Sequence, residues 1–474
     1  MPTRREVLSA SVVTAAGAAV APLVMASSAA AGEPHGRGPE GPGRPYRPQP
    51  PDRELRRALR EIDVDNIRAI IEKLVSFGTR HTLSSQDDPA RGIGAARDWI
   101  FQTLQGYAAT SGGRMTVRKQ AFVQPVANRI PTPTVITNVI ATLPGDTAPD
   151  RVYVVSGHYD SRVTDIMNFT SDAPGADDDA SGVAVIMEMA RVMSTRHTEA
   201  TIMFCAVAGE EQGLYGSAFL AQQLKAANTD VQGMFSNDIV GTGVGDDGSR
   251  DPHRVRMFTE GVPTAETPAQ ASNRQLIGGE NDSNSRQLGR FALSVAQNDA
   301  TGMAIWPIWR RDRYLRGSDH ISFLQQGYPA GRITEPREDY HREHQDVRVE
   351  NGLQFGDRIE ACDFDYIARV ARVNLATYWS LAQAPGTPKN TRILAAVLTN
   401  DSTLLWDAGT EPDLAGYEVV WRETSAPDWQ HAIPVGNVTQ VTINLVKDNV
   451  MFGVRAVDRD GHRSPVAFPV PANA

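Results

Sequence analysis

Hydrophobic and polar positions repeat along this chain with two different periods, and the change of period marks its parts. Leu55 to Phe77 carries Ile62, Val64, Ile67, Ile70, Ile71 and Leu74 at helical spacing, and roughly Pro89 to Tyr107 predicts a second helix. Strand-like runs follow at Met115–Val123, Thr134–Leu143 and Val152–Ser156. Then come an apolar helix at Ser181–Met193, a strand at Thr201–Val207, a helix from near Gly213, a strand at Met234–Val240 and a last helix at Asp363–Leu381. Several of the strands are apolar on both faces. Such strands alternating with helices predict an α/β fold, a mixed and mostly parallel sheet flanked by helices on both sides.

The helical period disappears after Ala384-Pro385-Gly386-Thr387-Pro388. Short strands at Arg392–Val397, Thr403–Trp406, Tyr417–Trp421, Val438–Leu445 and Phe452–Val457, punctuated by turns such as Asp458-Arg459-Asp460-Gly461, predict a C-terminal all-β sandwich over 387–474. The stretches LAGYEVVWRET and FGVRAVDRDGHRS resemble a fibronectin type III module. Such a module reads as a spacer or a contact to cell wall or polymer, whose removal leaves hydrolysis of small substrates intact. The α/β domain is then 52–386. Ahead of it, GEPHGRGPEGPGRPYRPQPP, residues 32–51, reads as a Pro/Gly-rich linker with nothing to bury. Residues 1–31 place Arg4-Arg5 before a long uncharged stretch ending in Ala29-Ala30-Ala31, the pattern of a cleaved Tat-type signal peptide, so the protein is expected to be secreted. No later run approaches a membrane span.

Composition narrows the function. A net charge of -9 argues against nucleic acid or an anionic membrane surface as the main partner. Two cysteines, Cys205 and Cys362, make no disulfide framework. There is no G-x-S-x-G elbow for serine hydrolysis, and Gly241-Thr242-Gly243-Val244-Gly245 lacks the Lys-Ser/Thr of a phosphate loop.

Sites on sheets of this kind form beyond the carboxyl ends of the strands. Four consecutive ends carry imidazole or carboxylate groups. VYVVSGHYDSR places His158 and Asp160 two apart. GADDDASG, residues 175–182, puts three carboxylates in a glycine-bounded loop opening a helix, whose N-terminus favours negative charge. TIMFCAVAG runs into Glu210 and Glu211, and Ser236-Asn237-Asp238-Ile239 closes the next strand. A later segment, EPREDYHREHQD, adds His341 and His344. Taken singly these are a satisfied His–Asp pair, a helix cap at Asp178 or Asp179, and a solvated glutamate pair. Their recurrence at successive strand ends points to metal. Imidazole with carboxylate and no thiolate suits zinc. Two histidines and at least three carboxylates exceed one tetrahedral ion; two ions about 3.5–4 Å apart, sharing a bridging carboxylate, use them all. Adjacent glutamates then divide the work, one binding metal and the other moving a proton.

The order HxD, GxxDDxSG, AGEEQGLxGS, NDxxG and a late Tyr-His segment resembles the zinc-dependent aminopeptidases over about residues 53–384. That family includes secreted bacterial leucine aminopeptidases, glutamate carboxypeptidases and, more distantly, glutaminyl cyclases; VSFGTRHT also looks like its N-terminal helix and turn. The resemblance implies hydrolysis of peptide bonds by two Zn2+ ions on a mixed sheet. It implies that His158 binds one zinc, Asp178 bridges both, and Glu211 and Asp238 serve one metal each. Glu210 matches the general base and Asp160 a carboxylate orienting its neighbours. For the last ligand, a Tyr-His pattern selects His341 with Tyr340 as oxyanion donor, whereas a His-Gln-Asp pattern selects His344; the reading leans to His344 and keeps both. His320, in GSDHISF, matches a stretch that lines the site. The polar segments 241–252 and 261–286 are expected along the cleft.

Overall fold

The computed structural model describes residues 41–396 and 398–472. The signal peptide read over 1–31, the first part of the linker, and Val397 at the end of the strand read over Arg392–Val397 lie outside the described residues. The chain enters through β1 (Arg44–Pro45), α1 (Arg53–Arg60) and α2 (Val64–Val75). The helix expected over Leu55–Phe77 is two helices because the Asp63 side chain accepts from the N–H groups of Asp65 and Asn66 at 2.9 and 3.4 Å, capping a new start. Next come α3 (Ile93–Ala109), β2 (Thr116–Gln124), β3 (Thr134–Leu143), β4 (Ala148–His158), α4 (Ala180–Met193), β5 (Ala200–Val207), α5 (Tyr215–Ala226) and β6 (Asp230–Asn237). The domain closes with β7 (Arg254–Thr259), α6 (Pro268–Leu276), α7 (Asn284–Ala296), β8 (Ala304–Ile308), α8 (His320–Gln325), β9 (Ala330–Thr334), the hairpin β10 (Arg348–Glu350) and β11 (Leu353–Phe355), and α9 (Phe364–Gln383).

Eight strands form one sheet in the order β2-β3-β5-β4-β6-β9-β7-β8. Its centre, β5-β4-β6-β9, is parallel, and the antiparallel pairs are β2–β3, β3–β5 and β7–β9. The mixed sheet of the sequence reading is therefore present. Strand alternation feeds two cores. Tyr153, Val155, Ile202, Phe204 and Ala206 pack under α1–α4, α7 and α9. Val152, Val154, Met203, Cys205 and Val207 pack under α5 and α8. Burying such side chains contributes about 1.5–3 kcal/mol each, so the strands cannot slip without moving an apolar face into water. The parallel centre brings the carboxyl ends of β4, β5, β6 and β9 to one edge.

The remaining strands are β12 (Arg392–Leu394), β13 (Ser402–Leu405), β14 (Leu414–Glu423), β15 (His431–Gly436), β16 (Gln440–Ile443), β17 (Val450–Asp458) and β18 (Val470–Ala472). They make two four-stranded sheets, β1-β15-β14-β17 and β16-β13-β12-β18, around Leu404, Trp406, Tyr417, Val419, Trp421 and Phe452. Here the linker expectation fails for its described part. β1 pairs with β15, the Trp421 indole donates to the Pro42 carbonyl at 2.8 Å, and the Tyr46 ring lies under Arg455. Residues 41–51 are a strap across the β-module, because Pro42 and Tyr46 offer it a carbonyl and an aromatic face.

The module also docks on the α/β domain. Asp282, fully buried, takes Arg290 on one oxygen at 2.8 Å and Arg422 of the module on the other at 2.6 Å. The Trp429 indole donates to Gln287 at 3.1 Å, and Arg151 pairs with Glu411 at 3.0 Å. Asp282, within the segment 261–286 expected along the cleft, lies at this seam. Beside it Glu199 faces Asp413 and Asp458, with ligand-type oxygens within 4.8 Å of one another. Burial, then the Asp413 carboxylate, pushes Glu199 up to about 7. A raised carboxyl pKa favours folding while the group is protonated, so its contribution is lost as pH rises through that value. Wild-type melting temperature is expected to fall between about pH 5 and about pH 8 from this source, with Glu199→Gln more stable than wild type at the upper end and equal to it in acid. Parallel melting profiles for the two proteins would remove Glu199 as the cause.

Candidate metal centre

β4 ends at His158, whose main-chain N–H donates to Asp179 at 2.9 Å. Asp179 also accepts from the Gly182 N–H at 3.0 Å, so the helix-cap role belongs to Asp179 and leaves Asp178 free for other chemistry. The loop carrying Asp178 is fastened from below. Asp357 accepts from the N–H groups of Asp177 and Asp178 at 2.9 and 2.8 Å. The fully buried Arg80 guanidinium donates to the carbonyls of Tyr159 and Gly175 at 2.7 and 2.8 Å. That one side chain ties the end of β4 to the Asp178 loop.

The geometry centres on Asp178. One of its oxygens lies 3.0 Å from His158 Nε2, the other 2.8 Å from His344 Nε2. Asp238, just beyond β6, approaches His158 Nε2 at 3.9 Å, and Glu211, beyond β5, approaches His344 Nε2 at 3.2 Å. Two groups of donor atoms therefore adjoin at Asp178: His158, Asp178 and Asp238, and Asp178, Glu343 and His344, each with its atoms within 4.8 Å of one another, and Glu211 stands beside the second through His344. Arg332, fully buried on β9, donates to Asp238 Oδ1 at 3.0 Å; Arg162 donates to Glu211 Oε2 at 2.9 Å. Asp160 accepts from Thr82 at 3.0 Å and from the N–H groups of Glu210 and Glu211 at 3.3 and 3.1 Å, and its carboxylate stands 3.6 Å from His158 Nδ1. Asp160 thus stands where a carboxylate can orient both His158 and the Glu210-Glu211 main chain.

Electrostatics follow from crowding. Burial alone lowers the proton affinity of His158, but Asp179, Asp160, Asp178 and Asp238 outweigh it and raise its pKa well above the usual value. Burial opposes ionisation of Asp178, and the two imidazoles outweigh it, holding the carboxyl well below its usual range. Glu210 is pushed well up by burial and by Asp238, Glu211 and Asp319. Asp178 Oδ1 and Glu211 Oε1 are buried oxygens without a hydrogen-bond donor. Orphaned buried oxygens are costly unless a cation takes them, and imidazole plus carboxylate is the donor set zinc accepts. The residues fit the metal.

His344, not His341, joins this cluster. Asp339 captures His341, taking its N–H at 3.0 Å and lying 3.2 Å from its ring Nδ1, and the ring packs edge-on to Phe355. Tyr340 is 56% exposed and makes no hydrogen bond to the cluster among the described residues, so the oxyanion role read for it finds no geometry here. His320 is buried against the Arg311 carbonyl at 2.9 Å, a satisfied core histidine. The sequence reading missed Arg80, Thr82, Arg162, Arg332 and Asp357. Arg162 continues the two-residue spacing of His158 and Asp160; Arg80 and Thr82 stand in the VSFGTRHT stretch already singled out. Arg332 and Asp357 carry no local signal.

Comparison with known proteins agrees with this chemistry. The profile of Peptidase family M28 matches residues 138–357. A probable zinc metalloprotease of Pyrenophora teres f. teres is 55% identical over 427 residues, covering 90% of this chain and 88% of the relative. Another, from Pyricularia oryzae, is 56% identical, covering 89% and 86%. The chain belongs to peptidase family M28 and is a zinc metallopeptidase. Among solved structures, the LapA aminopeptidase of Legionella pneumophila overlays with a TM-score of 0.48 at 20% identity, covering 70% of this chain and 75% of that one. A glutaminyl cyclase of Fimbriiglobus ruber overlays at 0.46 and 19% identity, covering 70% and 98%.

Proposed function

We propose that this zinc metallopeptidase is an exported exopeptidase, acting as an aminopeptidase, with two zinc ions in its site. The observation that carries the reading is Asp178, each of whose oxygens faces a different histidine. His158 and Asp238 would hold one ion and Glu211 and His344 the other, with Asp178 able to serve both. Bound there, zinc supplies Lewis acidity and brings water towards ionisation near neutral pH. Glu210 is the general base. It stands next to Glu211 in sequence, outside the set that converges on Asp178; bound zinc would offset the burial and neighbouring carboxylates that raise its pKa, leaving its carboxylate ionised to take a proton from the attacking water and pass it to the leaving amine. Asp160 keeps Glu210 in place through the main chain, and Arg332 keeps Asp238. Export rests on the twin-arginine segment at Arg4-Arg5.

Two measurements test this. Purified protein is expected to hold two zinc ions per chain and to release free amino acids from peptide N-termini, read by mass spectrometry of a peptide-library digest. One zinc per chain, with cyclisation of N-terminal glutamine in place of hydrolysis, would move the assignment to an acyl-transfer enzyme. His344→Ala is expected to weaken retention of one zinc by about 10–100-fold or more, whereas His341→Ala stays near wild type in metal content. The reverse pattern would return the last ligand to His341.

A further inference from the structure

The segment leaving β4 carries three chemistry-bearing side chains at two-residue spacing: His158, Asp160 and Arg162. The first two are already in use. Arg162 has 17% of its side chain exposed and sits on the ligand set furthest from its own strand. Its Nε donates to Glu211 Oε2 at 2.9 Å, an Nη group contacts His344 Nδ1, and the other Nη donates to the Val163 carbonyl at 3.2 Å. Both residues it touches belong to the same ligand set, and it touches each on the atom that faces away from Asp178. Glu211 Oε1, the oxygen left over, is the buried one with no donor, 3.2 Å from His344 Nε2. The other set has a different guardian, the fully buried Arg332, which bonds Asp238 and neither Glu211 nor His344.

We infer that Arg162 is the positioning residue of the Glu211–His344 subsite, holding Glu211 by its outward-facing oxygen so that Glu211 Oε1 is turned towards His344 Nε2 beside Asp178. The inference rests on the two-zinc reading above. A planar guanidinium with Nε and both Nη groups in one fork reaches two partners and its own neighbour's carbonyl at once; an ammonium has the charge but not the fork. Arg162 also places a positive charge on the outer side of a cluster rich in carboxylates without occupying the Glu211 oxygen that faces inward. Glu343 Oε1 lies 3.7 Å from His344 Nδ1. When Nε2 gives its lone pair to metal, Nδ1 carries the proton and accepts nothing from Arg162, which then acts through Glu211 alone.

The test compares wild type with Arg162→Gln, Arg162→Lys and Arg162→Ala by zinc content and by zinc release against a graded chelator. Wild type is expected to release its two zincs in resolvable amounts. Arg162→Gln is expected to release one of them at about 10–100-fold lower chelator concentration, with the other unmoved, and to lose kcat with little change in KM when assayed at limiting zinc. Arg162→Lys is expected to fall between the two. Methylguanidinium added to Arg162→Ala is expected to restore the weakened zinc towards the wild-type release point, an effect that a general loss of folding would not show. Equal release curves for wild type and Arg162→Gln, or simultaneous weakening of both zincs in that variant, would overturn the assignment. A wild-type chain holding one zinc overturns it together with the two-zinc reading, which keeps the two failures distinct.

Discussion

Glu210→Gln is expected to fold, to bind zinc as the wild type does, and to lose about 10²–10⁴-fold in kcat, the range that a positioned general base contributes. The amide has the shape of the carboxylate but cannot accept the proton of the attacking water. The fold should tolerate it because the main chain at Glu210 is held by Asp160 through its N–H, a bond the substitution leaves alone. Zinc content should survive because the convergent donors are His158, Asp178, Asp238, Glu211 and His344. Glu210 also adds one carboxylate to a crowded group that includes Asp238, Glu211 and Asp319, so removing its charge relieves repulsion. Initial rates on aminoacyl chromogens, measured beside zinc per chain, check this. Turnover retained would remove Glu210 from the chemistry; turnover and zinc lost together would make it a ligand.

Removing residues 388–474 is expected to cost the protein its soluble fold, and the activity with it. This reverses the expectation of a detachable spacer. The cut strips Arg422 from the fully buried Asp282, Glu411 from Arg151, and Trp429 from Gln287 on α7. It also leaves the strap at residues 41–51 without β15. α7 packs on α9 and on the sheet, so the exposed seam lies directly over the α/β core. A smaller lesion reads the same contact: Asp282→Ala leaves Arg290 and Arg422 buried without their carboxylate, a loss of about 3–5 kcal/mol by analogy with other broken buried pairs. Soluble yield and thermal melting measure both variants. A truncated chain that stays soluble and hydrolyses small substrates at the full rate would restore the spacer view.

Much of the centre could be read from the chain because its ligands follow from strand position. His158, Glu211 and Asp238 stand at or just beyond the ends of β4, β5 and β6, where an apolar run stops and a charged residue begins, and a one-dimensional pattern records that stop. Asp178 was legible as one of three carboxylates opening a helix and was singled out by the family resemblance, but the residues alone left the cap open: which of them caps depends on whose oxygen meets Gly182 and His158. The last histidine was open for a similar reason. His341 is drawn off by Asp339, while His344 adopts a left-handed backbone, φ +56°, that sets its ring on Asp178. Neither fact has a periodicity. The guanidiniums of Arg80, Arg162 and Arg332 act at ranges of up to 182 residues along the chain, where no spacing rule reaches.

By itself the sequence determined the layered α/β architecture, the β-rich C-terminal region and the residue types of a zinc site, because hydrophobic period and abrupt charge at strand ends are local properties. The tertiary structure alone decided which histidine meets Asp178, which arginines steady the ligands, and that the N-terminal strap and the C-terminal module lock onto the catalytic domain. Those outcomes depend on which surfaces come to face each other after folding, and complementarity between distant surfaces leaves no periodic trace along the chain.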